Sequence, residues 1–177
     1  MFRGGATGLR VRVSKFALGL SLIFLFSIGS GETLSIGDFT VSIEQDPVTG
    51  RKVVVAYTKA VKYPAPYSQS ALAIRCDGGK LDVFLQAGTY VDDTFVKVVY
   101  RIGDGEVEGP FLWVPSTNGT AIFTRHPKVM FKKLLTGDGK SVAFRIWDFQ
   151  GTPLTYVFNL IGLDAATYYL DCAKGLK

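Results

Sequence analysis

The chain is poor in the residues that most often do chemistry. It holds one histidine, two cysteines, two methionines and two tryptophans in 177 residues. Metal centres need several His, Cys or carboxylate ligands at defined spacing. A lone histidine, His126, standing directly before Pro127, therefore reads as a loop or helix-start residue. It has no second histidine to share a metal, and no acid is placed beside it by sequence to build a Ser-His-acid relay. There is no G-x-S-x-G elbow. Gly137-Asp138-Gly139-Lys140-Ser141 has the tail of a phosphate-binding loop, but Leu134 stands where the first glycine is required, so this segment reads as a turn. No metal and no cofactor is expected. Paired-carboxylate chemistry is the class that leaves no spacing signature.

Long apolar runs are also lacking. Phe16 to Ile28 is a run of thirteen residues, short of the roughly 20 that a membrane-spanning helix needs. Arg3, Arg10, Arg12 and Lys15 precede it with no acid among them, and Gly29, Ser30 and Gly31 follow. A basic start, a short apolar run and a small-residue exit predict a secretory signal peptide over 1–31, cleaved between Gly29 and Glu32. Its removal leaves sixteen basic and fifteen acidic residues, a net charge of +1. The basic balance belongs to the targeting segment, so nucleic acid is not an expected partner, nor is stable membrane insertion after cleavage. The remaining 32–177 has the size of one β-rich domain.

Both cysteines, Cys76 and Cys172, lie in that exported part. An oxidising compartment makes and keeps disulfides, and an even count predicts one bridge between them. That bridge would close a loop of about 97 residues, worth about 4–5 kcal/mol in the chain-entropy model, and would leave no thiol for nucleophilic chemistry.

What the chain has in quantity is period-two alternation. Val53, Val55 and Tyr57 alternate with Val54, Ala56 and Thr58; Leu72, Ile74 and Cys76 with Ala73 and Arg75; Leu81, Val83 and Leu85 with Asp82 and Phe84. Asp77-Gly78-Gly79 between the last two runs predicts a β-hairpin. Runs around Val96–Ile102, Val142–Trp147 and Leu154–Leu160 follow the same rule. Two segments break it. Pro127 to Leu135 sets Met130, Phe131, Leu134 and Leu135 against Lys128, Lys132 and Lys133, a short helix framed by proline and glycine. Leu163, Ala166, Leu170 and Ala173 predict a second, C-terminal helix over 163–173. The expected fold is mainly β: an antiparallel β-sandwich, or a curled barrel, of eight or nine strands with two short helices.

Among the candidate sites, Arg75, Arg101 and Arg145 each fall out of phase with the apolar face of their run, and Lys97 and Trp147 share that parity. If their strands are neighbours they form one outer binding face suited to carboxylate or phosphate; the plainer reading is a solvated face with ion pairs to Asp82 or Asp148. Asp92, Asp93, Asp104, Glu106 and Glu108 lack calcium-loop spacing and read as solvated loop charges. Tyr63-Pro64-Ala65-Pro66-Tyr67 reads as a loop sealing the core edge rather than a partner platform. Asn118-Gly119-Thr120 matches a glycosylation sequon, and a turn explains it equally well.

The order of several motifs resembles a known group. Leu72-Ala73-Ile74-Arg75-Cys76 is followed by Val99-Tyr100-Arg101-Ile102, by Trp113, by Ser116-Thr117-Asn118-Gly119-Thr120-Ala121, and by Phe158-Asn159-Leu160-Ile161-Gly162-Leu163 ahead of Ala166, Leu170 and Cys172. This arrangement resembles the VasI-like accessory proteins associated with type VI secretion, and related uncharacterised exported bacterial proteins. It departs from them where the tyrosine-arginine strand usually ends in Asp: Gly103 stands there, with Asp104 one later. The resemblance implies an envelope protein that acts through contacts with another envelope protein and carries no catalytic residues. The expected function is thus a non-enzymatic binding or accessory protein, periplasmic or secreted. The alternatives are a carboxylate hydrolase of envelope polymers and an inhibitor of an exported enzyme.

Overall fold

The computed structural model describes residues 31–64, 69–92 and 94–176. The expected signal peptide lies outside the described residues except for Gly31, as do residues 65–67 of the Tyr63–Tyr67 loop. Among the described residues there are ten strands: β1 (Glu32–Ile36), β2 (Phe39–Gln45), β3 (Lys52–Lys62), β4 (Ala71–Asp77), β5 (Lys80–Gln86), β6 (Val96–Ile102), β7 (Glu108–Pro115), β8 (Ala121–Phe123), β9 (Ser141–Trp147) and β10 (Pro153–Asn159). Helix α1 (Pro127–Leu135) lies between β8 and β9, and α2 (Leu163–Ala166) follows β10.

All pairings are antiparallel, and they form a ring in the order β3-β10-β9-β6-β7-β8-β5-β4, with β4 returning to β3. The architecture is therefore a closed eight-stranded barrel, not a sandwich. Two of its seams are short. β7 meets β8 through Val114–Phe123 and Pro115–Ile122 only, and β3 meets β10 through Lys62–Val157 and Ala60–Phe158 across a bulge. Alternation along a strand reports which side is buried, and a sandwich and a barrel bury the same side; the difference lies in these few corner pairs. β1 and β2 stand outside the ring, β2 paired to the first part of β3 and β1 to β2.

The expected hairpin forms as β4–β5, with Asp77 opposite Lys80 and positive φ at both Gly78 and Gly79, the conformation a two-residue turn needs. Inside the ring, Ile74, Val83, Val98, Phe144, Ile146, Tyr156 and Phe158 are fully buried. At interior close packing, the barrel of this strand number is filled by side chains rather than open. Met130, Phe131 and Leu134 of α1 join the same core, as do Leu163, Ala166, Leu170 and Ala173. Helix α1 has the expected bounds. The expected helix 163–173 is shorter: after α2 the chain continues as two 3-10 turns, Thr167–Tyr169 and Asp171–Ala173, with Leu170 out of helical geometry between them. That break lets Leu170, Ala173 and the cysteine reach the barrel together. Cys76 of β4 and Cys172 are bonded, with Cα atoms 5.6 Å apart, in the ordinary range of about 4.4–6.8 Å.

Candidate functional site

The barrel wall is incomplete on one side of β7. β8 ends at Phe123, and Thr124, Arg125 and His126 then carry the chain away into α1. From Glu108 to Trp113, β7 has β6 on one edge and this departing segment on the other. Between them lies a cleft of about 430 Å³, lined by Tyr100, Phe111, Leu112 and Trp113 on the β7 side and by Arg125, His126 and Val129 on the helix side. The volume falls in the range of about 300–1,000 Å³ usual for ligand sites.

The cleft is apolar and partly exposed. Phe111 is 42 % exposed, Leu112 47 % and Val129 60 %, whereas Trp113 is buried at 2 %. Phe111 stacks on Tyr100 with ring centres 5.7 Å apart, and Trp113 packs edge-on against Phe144. Gly109 has φ +116°, and a Cβ there would stand 2.8 Å from the Val98 oxygen. Only glycine fits this bulge, which sits between Val98–Phe111 and Tyr100–Glu108 in the ladder. On the rim, the Arg125 guanidinium lies 6.0 Å above the Phe95 ring, a cation–π contact that holds a positive charge beside apolar surface.

The floor is tied down by one polar chain. The Tyr100 hydroxyl donates to Glu108 at 3.0 Å, and Lys133 of α1 donates to the other Glu108 oxygen at 3.0 Å. The Lys133 hydrogen bond holds the Glu108 carboxyl below the ordinary glutamate range, and burial, with the Glu108 charge beside it, pushes the Tyr100 phenol up. Next to this chain, Asp104 and Glu106 are exposed and line a polar depression together with Arg101, Lys133 and Lys140. Among the described residues no group of three or more His, Cys, Asp or Glu could hold a metal ion.

The sequence-derived arginine face is divided by the barrel. Arg101 on β6 and Arg145 on β9 occupy neighbouring strands at diagonal positions, since Val99 faces Arg145 and Arg101 faces Ala143. Both are exposed, as is Lys97, and Trp147 continues the row on β9. Arg145 donates to Thr155 on β10 at 3.1 Å. Arg75 is elsewhere, on β4, with β3 and β10 between it and β9. It donates to Asp82 at 2.7 Å and lies over the stacked rings of Phe84 and Phe123, which is the ion-pair reading. Burial raises the Asp82 carboxyl, and the hydrogen bonds from Arg75 and Lys80 outweigh it, so that it sits below the ordinary 3.8. Asp148, the other expected partner, instead accepts main-chain N–H bonds from Gln150 and Thr152 in its own turn. Asn118 accepts from Ser116 and from the Thr120 hydroxyl and main-chain N–H, the turn reading of that motif.

No family model matches the sequence, and no curated protein matches it. A solved structure does. The fold is similar to that of invasion associated protein B from Bartonella henselae, with 14 % identity, a TM-score of 0.50, and coverage of 78 % of this chain and 94 % of that one. At this identity the likeness concerns the fold alone.

The cleft itself was not among the sequence candidates. Its signal is Phe111-Leu112-Trp113-Val114 between Pro110 and Pro115: four apolar residues in a row with no alternation. In a strand this demands cover on both faces, and here Leu112 and Phe111 have little.

Proposed function

We propose that this chain is an exported, non-enzymatic binding protein, periplasmic or secreted, which holds a segment of another exported protein in the β7–α1 cleft through apolar side chains and an acidic group. The observation that carries the reading is the cleft's composition. Three large apolar side chains, Phe111, Leu112 and Val129, stay half-exposed around one concavity whose rim holds Arg125 and His126. Contiguous exposed apolar surface with a polar rim marks interaction sites, and the cationic rim selects for a carboxylate. Glu108, bonded to the cleft residue Tyr100, is kept ionised by Lys133, the opposite of the raised acid that general acid catalysis needs. The Cys76–Cys172 bond fits an oxidising compartment. Among the described residues no helix is long and apolar enough to cross a membrane. The motif order that resembles VasI-like accessory proteins fits the same role.

The test uses 1-anilinonaphthalene-8-sulfonate, an apolar ring system with one anionic group. The folded protein should bind it saturably at one site. Val129→Asp should weaken that binding at least tenfold and Arg125→Ala several-fold, with thermal unfolding unchanged in both. Equal binding by all three proteins would overturn the assignment of the cleft.

A further inference from the structure

The main-chain edge of β7 points to how the cleft takes its partner. The Ser116 N–H donates to the Ala121 oxygen at 2.7 Å, and Val114 is opposite Phe123. Main-chain groups of a strand alternate between its two edges, so those of Leu112 point to the same edge as those of Ser116 and Val114. On the other edge, Leu112 faces Lys97 of β6, between Val98–Phe111 and Val96–Trp113. β8 stops at Phe123, so among the described residues no strand residue stands opposite Leu112 on this edge. Among the described residues no main-chain hydrogen bond outside the ladders involves Leu112. An N–H and a carbonyl at a strand edge thus open directly onto an apolar cleft.

Resting on the binding reading above, we infer that the cleft recognises an extended peptide by strand addition: the incoming segment takes the place that β8 vacates and pairs with Leu112 through its main chain. Strand addition joins main-chain pairing, which gives affinity, to side-chain pockets, which give specificity. Residues on either side of the one opposite Leu112 lie across from Phe111 and Trp113 and direct their side chains to the same face as those rings. The recognised pattern is therefore apolar–any–apolar, with a flanking Asp or Glu reaching Arg125 on the rim. Pro110 has no N–H to donate and bounds the template, so the paired stretch is short, about three residues at strand spacing. An acyl chain with a carboxylate head would satisfy the apolar floor and Arg125 but would leave the Leu112 groups without a partner, and so the unpaired edge favours peptide.

The experiment uses end-blocked heptapeptides with valine–threonine–valine at the centre and glutamate on either flank. One control replaces glutamate by lysine, and a second carries an N-methyl group on the central threonine. Dodecanoate is the non-peptide arm. The readout is amide hydrogen exchange at Leu112, followed by NMR on the exported protein. The glutamate peptides should slow exchange at Leu112 at least tenfold, the N-methylated one should not, and Arg125→Glu should invert the preference between glutamate and lysine peptides. Two results would overturn strand addition and leave the cleft as a binding site: dodecanoate shifting the cleft resonances while no peptide protects Leu112, or the N-methylated peptide binding as well as its parent. If neither peptides nor dodecanoate perturb the cleft, strand addition and the binding reading both fall.

Discussion

Gly37 and Gly162 sit back to back. A Cβ on Gly37 would lie 2.3 Å from the Ile161 oxygen, and one on Gly162 would lie 2.5 Å from the Ile36 oxygen; both have positive φ. The β1–β2 turn and the entry to α2 are thus pressed backbone to backbone, with the Asp38 N–H donating to the Ile161 oxygen at 2.9 Å. Gly162→Ala should cost about 2 kcal/mol in urea unfolding, from positive-φ strain and the contact together. The Asp82 pair gives a prediction in pH. Its carboxyl lies below the ordinary 3.8 when folded, so the unfolded chain binds more protons there and the pair stabilises the fold above that pH. Its contribution is lost as pH falls from 3.8 through the folded value. Asp82→Asn should therefore flatten the stability profile below about pH 4 and lower stability at pH 7 by about 1–3 kcal/mol. Asp82 was visible in the sequence as a possible ion-pair partner for the out-of-phase arginines. The contact between Gly37 and Gly162 was not, because it joins residues more than a hundred positions apart and has no local pattern.

Elements were more legible than their arrangement. Period-two runs located β3–β6, β9 and β10, and the proline–glycine frame located α1, because each depends on neighbours within a few residues. β7 broke the alternation and escaped notice, and with it the cleft. The C-terminal element was read as one helix because its apolar spacing suits either a helix or a succession of tighter turns; tertiary attachment decides between them. Two long-range attachments hold it. Asp138, in the turn after α1, accepts the Leu163 N–H at 2.9 Å, capping a helix whose own Gly162 offers no side chain. The Cys76–Cys172 bond then fastens the last turn to β4. Asp138→Ala should cost about 1 kcal/mol, seen as faster amide exchange over 163–166. Cys172→Ser should cost about 2–5 kcal/mol in urea unfolding under oxidising conditions, and the same loss should follow reduction of the parent.

For the whole molecule, closure rests on little. The ring is shut by the two pairs of β7–β8 and the two of β3–β10, while β4–β5 and β9–β10 run seven pairs each. Exchange at Val114 and Phe123 should exceed that at Ile74 and Val83 by at least a hundredfold, since short, partly wet ladders open locally at lower cost. The closure also sets an order in time. β3 is made about a hundred residues before β10, its partner across the seam, and until β10 exists the last residues of β3 keep an unpaired edge. A chain emerging N-terminus first cannot close its wall until Pro153–Asn159 is through, and Cys172 arrives later still. For most of its synthesis the wall is therefore an open sheet, and the barrel is a shape the chain takes only near the end of its making.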